Sequence, residues 1–169
     1  MTSRDIYRQV IELVLRASRL AQSVGISNLF QPGLIKEMII ADILGHQLIH
    51  SKRDADAHAY GNPDKKYEYL SCKEGGSGQL DRMFSRPADK RAESLSRVTR
   101  NSKIYFAVFY ADNQARCKII YELEPEVVLA ETNRQLDRSR NDISHVGFSV
   151  RWAQSNGKVV VVYEDNQGS

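Results

Sequence analysis

Residues 54–72 read DADAHAYGNPDKKYEYLSC, and the fold turns on them. The run Gly61-Asn62-Pro63-Asp64 carries turn chemistry, and KYEYLSC after it combines aromatic content with turn flanks, so it reads as a strand. Two strands joined by a turn follow. Asp56 and Glu68 stand on either side of that turn, twelve positions apart, so a hairpin brings both carboxylates onto one face. Magnesium is typically held by one or two carboxylates plus waters and substrate phosphate, and such a pair permits that kind of site. Solvated acidic residues beside a turn give the same pattern, so the pair needs a second signal.

Working outward, Ile6, Val10, Leu13, Val14, Ala17 and Leu20 recur at three- and four-residue steps between Arg4 and Ala21. That is an amphipathic helix, ending before Gly25. A second helix is expected from Leu34, after Pro32-Gly33, to Gly45 as its C-terminal cap. It is apolar nearly all round and therefore buried, which leaves Lys36, Glu37 and Asp42 to be explained. Asp42 shares a helical face with Ile35, Met38 and Ile39, so an internal hydrogen-bonding role is expected of it.

Beyond the hairpin, EGGSG (74–78) reads as a flexible loop and the basic segment after it as mixed helix and loop. IYFAVFYA (104–111) and RCKIIYEL (116–123) are β-branched and aromatic, a pair of adjacent strands. EVVLAETNRQLDR (126–138) is helical, with Pro125 in the first turn. HVGFSVRWA (145–153) and KVVVVYE (158–164) flank Asn156-Gly157 and read as a final hairpin. DNQGS (165–169) reads as a mobile tail.

With 41% hydrophobic and 27% charged residues, the 169-residue chain has ordinary globular composition, so one domain over residues 1–169 is expected. It has neither the roughly 18 consecutive apolar residues of a spanning helix nor a signal-peptide core, so a soluble, cytoplasmic protein with no membrane partner is expected. Cys72 and Cys117 show no metal or disulfide spacing and read as buried free thiols. Net charge is only +3, yet Arg86, Lys90, Arg91, Arg97, Arg100 and Lys103 are set against Asp89 and Glu93 alone between residues 85 and 103. Phosphate contacts need Lys or Arg, so this run is the natural backbone-gripping segment, with Arg86, Arg97, Arg100 and Lys103 as candidates.

The second signal is segment order. GISNLFQPG (25–33), the helix from Leu34, the acidic cluster, YEYLS (67–71), the strands and turn of IYFAVFYADNQARCKIIYELEPEVV (104–128) and SNGKVV (155–160) together resemble the PvuII-like type II restriction endonucleases of the PD-(D/E)XK nuclease superfamily. The resemblance implies an α/β (α+β) fold, with a restriction-endonuclease-like core of a central mixed β-sheet flanked by helices. It implies Mg2+-dependent hydrolysis of double-stranded DNA at a short specific site, with Mn2+ as a substitute metal and no organic cofactor. It also implies a homodimer that uses the helix in residues 1–24.

By the same likeness, Asp56 matches the first metal-binding aspartate, with Asp54 as alternate, and Glu68 the second metal-binding carboxylate. Glu37 either assists at the metal or pairs with a cation on the helix surface. The family's catalytic lysine falls at Leu70 and is missing. Lys36, entering from the second helix, is the preferred replacement, and Lys73 the second choice because strand alternation turns it away from Glu68. The segment GGSGQLDRM takes the place of base-reading residues, through Gln79, Asp81 and Arg82, whose side chains suit adenine, cytosine and guanine edges. A second candidate contact is DRSRNDISH, with Arg138, Arg140, Asn141, Ser144 and His145. Two other readings compete: a catalytically degenerate DNA-binding module, and a nuclease specific for branched or mismatched DNA.

Overall fold

The computed structural model describes residues 1–51 and 53–163, so the expected tail at 165–169 lies outside the described residues. The chain divides into two compact units, Met1–Ile35 and Lys36–Ser169, where a single domain is expected from its length. The first unit holds helix α1 (Ser3–Ser23). A reciprocal cap starts it: Thr2 Oγ1 accepts from the Asp5 amide and Asp5 Oδ2 accepts from the Thr2 amide, satisfying two donors that a helix start leaves free. Ile6, Val10, Leu13 and Leu20 of its apolar stripe are exposed.

The second unit is a mixed sheet flanked by helices. Its elements are α2 (Leu34–Leu44, beginning two residues before the division), β1 (His46–Leu48), β2 (Ala57–Ala59), β3 (Asn62–Lys73), β4 (Ser77–Phe84), α3 (Ala88–Thr99), β5 (Lys103–Phe109), β6 (Cys117–Leu123), α4 (Pro125–Arg138), β7 (Ile143–Ser149), α5 (Val150–Asn156) and β8 (Lys158–Val162). Six strands lie in the order β1-β2-β3-β5-β6-β8, while β4 and β7 form a separate antiparallel pair. The β3–β5 contact is parallel and the rest of the large sheet is antiparallel.

Alternation along β3 and β5 sorts the core into two faces. Tyr67, Tyr69, Tyr105, Ala107 and Phe109 meet Ile40 and Ala41 of α2 on one. Leu70, Cys72, Ile104, Phe106 and Val108 meet Val98 of α3, Val128 and Leu136 of α4, Ala153 of α5 and the β4–β7 pair on the other. Full burial of a side chain such as Phe106 or Leu136 is worth about 1.5–3 kcal/mol, so these faces fix which side of the sheet each helix occupies. Cys72 and Cys117 are buried free thiols. No helix among the described residues is long and apolar enough to cross a membrane.

Three sequence expectations are corrected. EGGSG is not a loop throughout: Glu74–Gly76 turns the chain, and Ser77 and Gly78 already belong to β4. Gly78 lies so near β3 and β5 that a Cβ there would meet Phe106 Cε2 at 2.8 Å and Leu70 Cβ at 3.1 Å, which excludes any larger residue without movement. The final hairpin does not form. β7 pairs with β4, Ser149 Oγ accepts from the Trp152 amide to start α5, and β8 pairs with β6. Asp42 is exposed rather than internal, because Ile40 and Ala41 take the sheet side of α2 and turn it outward.

Candidate functional site

The β2–β3 register sets the geometry of the acidic pair. Ala57 lies opposite Tyr67 and His58 opposite Lys66, so Asp56, just before β2, falls opposite Glu68. Ala57 and Tyr67 face α2, which turns Asp56 and Glu68 together to the α3 side. The Asp56 amide donates to Tyr67 O at 3.1 Å, and the Tyr69 amide donates to Asp56 Oδ2 at 2.7 Å, so backbone on both sides of Glu68 holds Asp56 in place. Glu68 is 9% exposed, and its Oε2 is buried without a hydrogen-bond partner.

The pair lines a cleft of about 870 Å³ whose walls also hold Arg53, Asp54, Asp81, Arg82, Phe84 and, from α3, Glu93, Ser94, Ser96, Arg97 and Arg100. Burial pushes both the Asp56 and the Glu68 carboxyl above the ordinary range. The Asp56 charge pushes Glu68 further, and Arg100 and Arg97 pull both back. Arg100 Nη2 stands 3.6 Å from Glu68 Oε2. Asp54 is engaged elsewhere, accepting from Lys66 Nζ at 2.6 Å.

Helix α3 delivers the arginines because Val98 is its buried anchor and Ser94 Oγ accepts from the Phe84 amide. Asn101 Nδ2 donates to the carbonyls of Arg97 and Val98, satisfying acceptors a helix end leaves free. Arg97 and Arg100 are three positions apart and so share a face. Arg97 Nη1 donates to Asp81 O at 2.8 Å and Arg100 Nη1 to Arg53 O at 3.1 Å, tying the helix to both sides of the cleft.

The lysines fall elsewhere. Lys36, expected to reach the Glu68 face, packs over the Phe109 ring 5.2 Å from its centroid and donates to Gln114 Oε1, on the α2 side of the sheet. β3 pairs with β5 in unbroken register from Tyr67 to Lys73, so Lys73 points away from Glu68 and is exposed. Leu70, at the lysine position of the resemblance, is 2% exposed and belongs to the core. Glu37 is half-buried; burial first, then the Asp56 charge, raises its carboxyl to about 7. Among the described residues, no group of three or more His, Cys, Asp or Glu side chains is gathered closely enough to hold a metal ion.

The nucleic-acid candidates divide similarly. Asp81 and Arg82 sit at the irregularity of β4, where Arg82 adopts φ +53°, and Gln79 is exposed on the same strand. His145 Nδ1 lies 2.8 Å from Asp81 Oδ1, so β7 joins this edge. Arg86 bonds Asp142 and the Arg140 carbonyl; Arg138, Arg140 and Asn141 are exposed, and Ser144 is half-buried against Ser139. Lys103 lies on the Tyr105 face, held by Glu124 and Glu122, away from the cleft. Sequence reasoning did not single out Arg53, Phe84, Glu93, Ser94 or Ser96. Glu93 and Ser96 could have been found from the polar face of α3 opposite Leu95 and Val98, whereas Ser94, four residues before Val98, shares its buried face. No protein-family model matches the chain, and no curated protein matches it.

Proposed function

We propose that this chain is a Mg2+-dependent endonuclease of the PD-(D/E)XK restriction type, cutting double-stranded DNA at a short specific site as a homodimer. The observation that carries the reading is the facing of Asp56 and Glu68 in a cleft walled by arginines. Two like charges directed together, one with a buried oxygen that has no partner, fit a cation better than they fit solvent. Mg2+ held by Asp56 and Glu68, its shell completed by water and substrate phosphate, would supply an activated water and neutralise charge on the phosphate.

The chain's own residues bind and orient. The Tyr69 amide holds Asp56 toward the cleft, and Arg82 and Arg97 offer donors to a nucleic-acid backbone at its wall. Asp81, His145 and Gln79 occupy one edge whose donors and acceptors suit base readout. The exposed apolar stripe of α1 supports the homodimer, since a compact one-site unit needs two copies to cut both strands of a symmetric site.

One observation favours a non-cutting DNA-binding module instead: Leu70 fills the lysine position with a buried core residue. Digesting phage DNA with purified protein in Mg2+ and in EDTA separates the readings. Reproducible fragments in Mg2+ alone support the proposal, binding without cutting supports the module, and cutting confined to branched or mismatched DNA marks a repair-type nuclease.

A further inference from the structure

We infer that Arg100 supplies the charge-stabilising cation that position 70 lacks, acting on the phosphate bound beside Glu68; this rests on the nuclease reading above. Among the described residues lining the cleft, every cation is an arginine. Lys36 and Lys73 lie on the other side of the sheet. The cation must therefore come from α3 or the cleft rim, and Arg100 is the one the acidic pair meets.

Its geometry is that of a group waiting for a partner. A charge-assisted hydrogen bond between guanidinium and carboxylate closes to about 2.7–2.9 Å, but Arg100 Nη2 stops 3.6 Å from Glu68 Oε2. Both Glu68 Oε2 and Arg100 Nε are buried without a hydrogen-bond partner. They are held apart because the Arg53 carbonyl accepts from Arg100 Nη1 while Glu68 is fixed in β3 between Asp56 and Ile104. The gap therefore has a donor on one side and an acceptor on the other. A phosphate oxygen satisfies Nε and Nη2, for which the planar fork of arginine is suited, and a metal ion satisfies Glu68.

Arginine keeps its proton throughout, so Arg100 stabilises charge and does not deprotonate the water. It also opposes cation binding at Glu68 until a phosphate draws its charge away, so metal and DNA bind cooperatively.

The test uses the full-length protein in three assays: single-turnover cleavage with saturating protein, DNA affinity in Ca2+, and Mn2+ affinity without DNA. Arg100→Gln is expected to slow cleavage by about 100-fold or more, the cost typical of losing a charge-stabilising donor. Its Ca2+-supported DNA affinity should fall by less than about tenfold, as for one phosphate contact, and its DNA-free Mn2+ affinity should rise. Arg100→Lys should recover part of the rate, which a purely structural arginine would not require. If Arg100→Gln does not fold, Arg100→Met is compared with Arg100→Lys: a rate largely kept by Lys and lost by about 100-fold in Met, at little-changed DNA affinity, supports the proposal, and equal rates in the two overturn it. A wild type that cuts alongside an Arg100→Gln variant that cuts equally well, or that loses only DNA affinity, overturns the arginine assignment alone. A wild type that cuts no DNA with either metal removes the nuclease reading and this inference with it.

Discussion

Glu68→Gln should stabilise the metal-free protein at pH 8 and change little near pH 4. Burial and the Asp56 charge together outweigh Arg100 and Arg97, so the folded-state carboxyl titrates above its ordinary value of 4.5. A raised carboxyl contributes stability that is fully present below the unfolded value and is lost as pH rises through the folded one. The wild type therefore weakens between pH 4.5 and slightly alkaline pH, while the amide variant does not follow that slope. One buried, unpartnered charged oxygen costs about 1–3 kcal/mol, and the gap to Arg100 limits what is lost in exchange. At about 2–4 °C per kcal/mol for a chain of this size, the expected gain in Tm is roughly 2–12 °C. Thermal unfolding in EDTA at the two pH values measures it, and added Mg2+ should raise the Tm of the wild type more than that of the variant. A Glu68→Gln protein that melts below the wild type at pH 8 in EDTA would refute the reasoning, because the carboxylate would then be a net stabiliser.

Lys36→Ala and Lys73→Ala should each leave single-turnover cleavage within about threefold of wild type, since both lie off the Glu68 face and neither can stabilise the developing charge. Arg97→Gln should weaken binding to all duplex sequences alike and reduce the slope of log affinity against log salt by about one, as for a lost phosphate contact; fluorescence anisotropy across a salt series checks it. Gly78→Ala should destabilise the fold by about 1–3 kcal/mol in denaturant titration, because its Cβ has no room beside Phe106 and Leu70.

The acidic hairpin was legible because its determinants are local: a turn signal near Gly61 and a twelve-residue separation fix which side chains share a face, although the turn itself falls at Tyr60-Gly61 and Asn62, Pro63 and Asp64, expected in the turn, already belong to β3. The β5–β6 pair and α4 were legible for the same reason, through apolar runs and a proline at a helix start. The side of the sheet taken by α2 was not. A helix apolar nearly all round has no single stripe to orient it, so the sequence could not say that Lys36 meets Phe109 while Glu37 feels Asp56. Nor was the partner of β4, because β7 begins 59 residues after β4 ends and nothing local marks the pairing. VRWA was read as the end of a strand leading to an Asn156-Gly157 turn, whereas the Ser149 cap and the Phe148–Trp152 contact, with centroids 4.9 Å apart, accompany a helix over Val150–Asn156. The α3 arginines were legible as a basic run but not as neighbours of Glu68, a relation that only the tertiary packing of Val98 creates.

The most direct test of the central claim is digestion of phage DNA by wild type and Asp56→Asn side by side, across a Mg2+ series that includes EDTA. Asp56 faces Glu68 and is held by the Tyr69 amide, which an asparagine oxygen can still accept, so the variant should fold and lose the metal. The account predicts discrete fragments from the wild type that require Mg2+, and intact DNA from the variant at every concentration. Equal cutting by the Asp56→Asn protein, or cutting by the wild type that persists in EDTA, would contradict it.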